Sequence, residues 1–377
     1  MRWIHVRWSA GMAPVKILIL GTSNSILKQG WVAGLRTSLP HAVIENRSVG
    51  GSPGTQFAVH MQTNFREFDL VIVDSVVNDE DYLPYIGRPP FFNRVMFEIA
   101  STIASQTRLV LLGIGTERTL QDPSPTFLER AHLARILGAQ FVDMRKLIVR
   151  YGPVILGTGQ RLYEVQFHPD WQLQRIFGTA LGMALSDAEV LPPFEAENFA
   201  SNFSVFDPLD DPSRRRLRHT NSIMDRELAV VGLDEAVEMD NPGLCLGFFL
   251  NAKTTKAVAR LEGPREQRTK ELMFEIERGK FQLKFVPITD GLPLTRLTVT
   301  NDLSPIEKTI FTSAYNWPSG GNPVRAELGE FAFWSGDESR VLPKPGPVSR
   351  ALTLHAIVDR QARALVDGRS DETSIGP

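Results

Sequence analysis

Apolar residues in the first half of this chain fall into short continuous runs separated by stretches of helical spacing, while those of the second half alternate with polar residues. The continuous runs predict strands at 16–20, 42–46, 70–74, 109–114 and 140–143. Runs without alternation suit strands covered on both faces. Between them, the helical period predicts helices at 26–38, 56–64, 93–105 and 125–137. A last helix at 171–185 carries Leu173, Ile176, Phe177, Ala180, Leu181 and Ala184 on one face. Strand and helix in alternation predict an α/β fold, a flavodoxin-like three-layer α/β/α domain over 13–190.

At Leu191-Pro192-Pro193-Phe194 the texture changes. Short strands are expected at 228–231, 245–250, 257–262, 272–276, 281–287, 294–300, 309–313 and 330–334. Turn signals such as Asn241-Pro242-Gly243, Asp290-Gly291 and Ser319-Gly320-Gly321-Asn322 separate them. This pattern predicts an antiparallel β-sandwich-like accessory domain over 195–345, then a helix at 351–366 within a C-terminal segment, 346–377. Tyr315, Trp317 and Trp334 lie near its turns. Packing is the plainer role for them, and stacking on sugar rings the more specific one.

Composition removes several function classes. A length of 377 residues exceeds one small domain, and a net charge of −2 leaves no basic surplus for nucleic acid. The basic cluster Arg214-Arg215-Arg216, with Arg218, follows Asp207, Asp210 and Asp211 and reads as a solvated, paired loop. The single cysteine, Cys245, excludes an intrachain disulfide and sits in an apolar run as an inert thiol. The seven histidines are scattered without a His-x-x-x-His pair, so neither a metal nor another cofactor is expected. No apolar run reaches membrane-spanning length and none near the start suits a signal peptide, so membrane insertion is not expected and the expected location is cytoplasmic.

Four segments carry candidate chemistry. The first strand ends at Gly21-Thr22-Ser23-Asn24-Ser25, which puts hydroxyls at the edge where open α/β sheets build their sites. By itself this segment reads more simply as a helix cap, the role assigned to Ser25. The second strand runs into the glycine-rich Asn46-Arg47-Ser48-Val49-Gly50-Gly51-Ser52-Pro53-Gly54. The third ends before Asn78-Asp79, where a carboxamide can donate to a developing oxyanion or form an Asx turn. Far downstream, His168 precedes Pro169, which holds it extended in a loop before the last helix.

In order and spacing, these segments resemble the blocks of the SGNH (GDSL-like) hydrolase superfamily over residues 15 to 187. The resemblance implies Ser23 as nucleophile, His168 as general base, and Gly51 and Asn78 as oxyanion-hole donors. Asp79 is then a structural partner of the loop. The chain departs from the pattern at Thr22, Val76 and Val77, and at Val165, where the family places an aspartate three residues before the histidine. Glu164 is the candidate to orient the imidazole in its stead; the other is a backbone carbonyl. The implied activity is that of a serine esterase or acyltransferase acting on small O-acyl groups, notably acetyl on a carbohydrate. The competing expectation is a catalytically decayed, SGNH-like carbohydrate-binding or assembly protein.

Overall fold

Five parallel strands form the first sheet: β1 (Lys16–Leu20), β2 (Val43–Asn46), β3 (Leu70–Asp74), β4 (Arg108–Gly113) and β5 (Gln140–Asp143). Their spatial order is β2-β1-β3-β4-β5, the flavodoxin-like winding that brings the C-terminal ends of β1, β2 and β3 side by side. The computed structural model describes residues 14–187, 196–221, 223–241, 243–274, 281–302, 307–308, 324–345 and 351–373. The expected strand 309–313, Tyr315, Trp317 and the connector 191–194 lie outside the described residues.

Successive strand residues feed opposite cores. Ile17 and Ile19 face α2 (Trp31–Ser38), α6 (Met144–Leu156) and α7 (Trp171–Asp187). Leu18 and Leu20 face α4 (Pro89–Ala104) and α5 (Pro125–Ile136). That two-sided burial is what the unbroken apolar runs encode. The expected helix 26–38 is in fact two pieces, α1 (Ser23–Ile26) and α2, with Gly30 capping the second. The expected helix 56–64 is a 3₁₀ segment, Gly54–His60. Two helices were absent from the sequence expectation, α3 (Val76–Ile86) and α6; each contains a proline, Pro84 or Pro153, that masks its periodicity.

The second half is built from β8 (Phe203–Phe206), β9 (Arg216–Thr220), β10 (Asp225–Gly232), β11 (Ala236–Glu238), β12 (Leu244–Asn251), β13 (Val258–Glu262), β14 (Gln267–Glu271), β15 (Leu283–Leu292), β16 (Arg296–Thr300) and β17 (Arg325–Trp334). One antiparallel sheet runs β15-β12-β17-β10-β9 with β8 beside β17, and a second runs β11-β16-β13-β14. The strand expected at 272–276 falls earlier, at β14; Leu272, Met273 and Phe274 are buried past its end. Asp290-Gly291, expected as a turn between strands, lies inside β15, where both residues have positive φ and the pairing with β12 slips. Such a pattern marks a bulge.

The larger antiparallel sheet is covered on both faces. Phe248 and Phe333 point into the core shared with the smaller sheet, while their neighbours Phe249 and Trp334 point into the core that contains Leu18 and Val71. Trp334 is therefore a packing residue, 1% exposed, whose Nε1–H donates to the Glu98 carboxylate at 2.6 Å. The basic cluster is paired as expected in part: Arg214 with Asp211 and Arg218 with Asp225. Cys245 is fully buried, and burial pushes its thiol far above the ordinary range. The C-terminal helix, α8 (Thr353–Thr373), returns to the first half, with Leu354, Val358 and Ala362 in the core beside α7. Two short strands, β6 (Tyr163–Val165) and β7 (His168–Pro169), pair just before α7. Among the described residues no helix is long and apolar enough to cross a membrane.

Candidate active site

Ser23 opens α1 three residues beyond the end of β1, and its side chain is half-buried at the sheet edge. The turn into α1 requires Gly21, because a Cβ there would lie 2.2 Å from Ser25 Oγ and 2.8 Å from Ser48 Oγ. His168 arrives from the opposite end of the domain sequence, in β7. Its Nε2 stands 2.9 Å from Ser23 Oγ, so the alcohol and the imidazole share a hydrogen bond.

The residues flanking this pair tie the two loops together. Asn24 Nδ2 donates to the Phe167 carbonyl at 3.1 Å, Gln174 Nε2 donates to the Pro169 carbonyl at 2.7 Å, and the Glu117 N–H donates to the Gln166 carbonyl at 2.8 Å. Every residue from Gln166 to Pro169 is thus held either through its carbonyl or, for His168, through its ring. Burial pushes the His168 pKa below its ordinary value, and the negative charge of Glu164 partly offsets that. A neutral imidazole can accept the serine proton.

Glu164 does not fill the place of the absent aspartate. Its Oε1 accepts from the Trp171 N–H at 3.3 Å, at the start of α7, so it acts on the ring through charge rather than contact. Val165 is 49% exposed, with its Cα paired to that of His168 across the β6–β7 ribbon.

The loop after β2 supplies the facing wall. Gly50 abuts Ser23: a Cβ added to it would stand 3.5 Å from the Ser23 Cβ. Gly51 adopts φ +64, a left-handed conformation that favours glycine. Its carbonyl accepts from Tyr82 OH at 2.6 Å, and the next carbonyl, that of Ser52, accepts from Asn78 Nδ2 at 2.9 Å. Asn78 is 6% exposed and lies in the first turn of α3 rather than in an Asx turn. One amide N–H is spent on Ser52; a carboxamide has a second. Asp79 joins the same loop, with Oδ1 accepting from the Gly54 N–H at 2.6 Å and Oδ2 from Arg130 at 2.9 Å.

Beneath the pair lies a group the sequence reading passed over. Asp74, fully buried at the end of β3, accepts from Ser25 Oγ at 2.8 Å and from Thr22 Oγ1 at 3.4 Å. Ser25 is consequently not a cap but an anchor of α1, and its hydroxyl is buried on the Asp74 carboxylate. Burial raises the Asp74 pKa to about 6, against the hydrogen bonds from Ser25 and Thr22 that lower it. The signal was present: an aspartate ending a strand of four apolar residues needs a buried partner. Ser52, Tyr82 and Lys284 were also missed. Only Lys284 left a trace, as a lone charge interrupting Leu283, Phe285 and Val286. Among the described residues, no cluster of three or more His, Cys, Asp or Glu side chains is placed to hold a metal.

No protein-family model and no curated protein matches the chain. Solved structures do resemble it. A lipase/acylhydrolase from Enterococcus faecalis is 14% identical, with a TM-score of 0.38, over 48% of this chain and 100% of its own. The C-terminal catalytic domain of peptidoglycan O-acetyltransferase A from Streptococcus pneumoniae is 17% identical, with a TM-score of 0.33, over 50% of this chain and 100% of its own. The esterase EstA from Pseudoalteromonas sp. is 19% identical, with a TM-score of 0.33, over 46% of this chain and 96% of its own.

Proposed function

We propose that this chain is a serine esterase or acyltransferase of SGNH type, acting on small O-acyl groups. The observation that carries the reading is the 2.9 Å contact between His168 Nε2 and Ser23 Oγ, made by loops 145 residues apart. A serine hydroxyl is a weak nucleophile until a base within hydrogen-bond reach takes its proton. Here Ser23 Oγ attacks the acyl carbonyl as His168 Nε2 receives the proton. The carbonyl oxygen becomes an oxyanion facing the N–H groups of Ser23 and Gly51 and the free N–H of Asn78. Collapse expels the alcohol, which takes the proton from His168, and leaves the acyl group on Ser23. Water or a second alcohol then reverses the steps and removes it.

Within that class we assign an O-acetylated carbohydrate as substrate, with water or a sugar hydroxyl as acceptor; no cofactor enters. His168 works as a dyad with Ser23, its ring held by the anchored loop and biased by the Glu164 charge. The test uses p-nitrophenyl acetate and a fluorophosphonate probe on the wild type, Ser23→Ala and His168→Ala. Labelling at Ser23 and a loss of turnover on the order of 10³-fold or more in both variants are expected. Labelling that persists in Ser23→Ala removes Ser23 as nucleophile. An unlabelled, inactive wild type returns the chain to the binding or assembly class that Val165 favours. Release of acetate from acetylated polysaccharide, compared with p-nitrophenyl acetate, tests the substrate class.

A further inference from the structure

The segment Gly50-Gly51-Ser52 is gripped from two sides. From the first half come Tyr82 OH on the Gly51 carbonyl and Asn78 Nδ2 on the Ser52 carbonyl. From the second half comes β15. The Phe285 N–H donates to Ser52 Oγ at 2.9 Å, across 233 residues of sequence. Next to it, Lys284 extends until its ammonium meets Gly51: a Cβ on that glycine would stand 3.1 Å from Lys284 Nζ and 3.4 Å from its Cε. Lys284 is 3% exposed, and its Nζ lies 5.3 Å from the centre of the Phe274 ring.

We propose that Lys284 is a positioning residue of the acyl-transfer site, carried in on β15 to set a buried positive charge behind the Gly51 backbone and, with the Phe285 N–H, to fix the oxyanion loop. This rests on the reading of Ser23 and His168 given above. A lysine is costly to bury, because its charge gives up water. Placed against a backbone whose N–H groups face a developing oxyanion, that charge acts through a poorly screened medium and favours the transition state over the neutral ester. Burial lowers the ammonium to about 8, which leaves it mostly charged at neutral pH. The second half of the chain is then part of the catalytic unit rather than an appendage. Its contribution falls on the chemical step and not on substrate affinity.

Full-length Lys284→Met, Lys284→Arg and Ser52→Ala, each checked for wild-type circular dichroism, are compared on p-nitrophenyl acetate and by the rate of fluorophosphonate labelling at Ser23. Lys284→Met is expected to lower kcat about tenfold, less than the hundredfold typical of losing a direct oxyanion donor, with KM within about twofold. Lys284→Arg, which keeps the charge, recovers most of that loss. Ser52→Ala, which frees the Phe285 N–H, slows labelling to an intermediate degree. A Lys284→Met enzyme with wild-type kcat, or one whose loss lies in KM or is not recovered by arginine, overturns the proposal. Should Lys284→Met fail to fold, the other two variants decide: wild-type labelling in Ser52→Ala, or a kcat lowered about tenfold or more in a folded Lys284→Arg, overturns it. A wild type without labelling or turnover instead strikes the acyl-transfer reading itself, a result distinguishable from all of these.

Discussion

The two halves of this molecule bury sheets in a similar way yet dispose of their polar groups differently. In the parallel sheet every strand leaves at one edge, so Gly21, Gly51 and Asn78, from three separate connections, arrive together. In the antiparallel half strands leave at both ends, and charged groups are spread along the strands in pairs such as Arg325 with Glu327 and Arg226 with Glu330. A convergent site follows from the first arrangement with no added design; the second offers surface and support. The larger antiparallel sheet supports by being buried on both faces, with Phe248 and Phe249 in different cores.

That contrast breaks first at Trp334. If the antiparallel sheet carries the α/β half, Trp334→Ala should cost about 3–5 kcal/mol of stability, because it opens a cavity and removes the Nε1–H donor to Glu98. Urea unfolding measures the loss, and a change under 1 kcal/mol, the order of a tolerated surface substitution, would separate the halves. Next in size, Asn78→Ala should lower kcat on the order of 10²-fold, since the oxyanion and the Ser52 carbonyl both lose a donor. Steady-state turnover with KM unchanged is the signature; a loss confined to KM would make Asn78 a substrate contact.

Asp74 sharpens the comparison through pH. Its folded pKa, about 6, lies above the ordinary 3.8, so the folded state holds a proton that the unfolded state has released between those values. Stability from this group therefore falls as pH rises from about 4 to 6 and stays reduced above. Asp74→Asn should abolish that slope, a difference on the order of 2 kcal/mol at 1.4 kcal/mol per unit, read from urea midpoints at pH 4.5 and 7. An unchanged slope assigns it elsewhere. The smallest effect belongs to Glu164→Gln. Its charge raises the His168 pKa, so removal should shift the acid limb of kcat/KM to lower pH with less than a tenfold change in the plateau. A shift to higher pH, or loss of activity on the scale of His168→Ala, would make Glu164 a direct partner of the ring.

The parallel strands were legible in the sequence, most of them because strands covered on both faces are written as apolar runs; the edge strand β2, half-exposed and half-polar, carries only the short run Ala42-Val43-Ile44. The antiparallel half was legible in class but not in detail: β9 and β14 are polar edge strands such as Arg216-Leu217-Arg218-His219-Thr220, which composition alone assigns to loop. In the candidate site, Ser23, Gly51, Asn78 and His168 stood out only through the order and spacing of their segments and the family pattern these resemble, since each segment alone also reads as a cap, a turn or a structural histidine. The partners that hold them did not stand out. Tyr82, Ser52 and Phe285 act through single backbone or hydroxyl contacts, which leave no residue-type signature, and the last two meet only when distant segments pack. Glu164 was adjacent in sequence yet turned to the Trp171 N–H, a choice settled by the helix start rather than by spacing.

The return of α8 to the first half bears on how this protein is made. Leu354, Val358, Ala362 and Val366 complete a hydrophobic layer whose other members, such as Ile17 and Leu35, emerge from the ribosome more than three hundred residues earlier. Until translation reaches that helix, α7 and the edge beside β5 stay uncovered and wet. The nascent α/β layer then waits on the whole β-rich segment, an interval in which a chaperone or a premature stop would decide its fate.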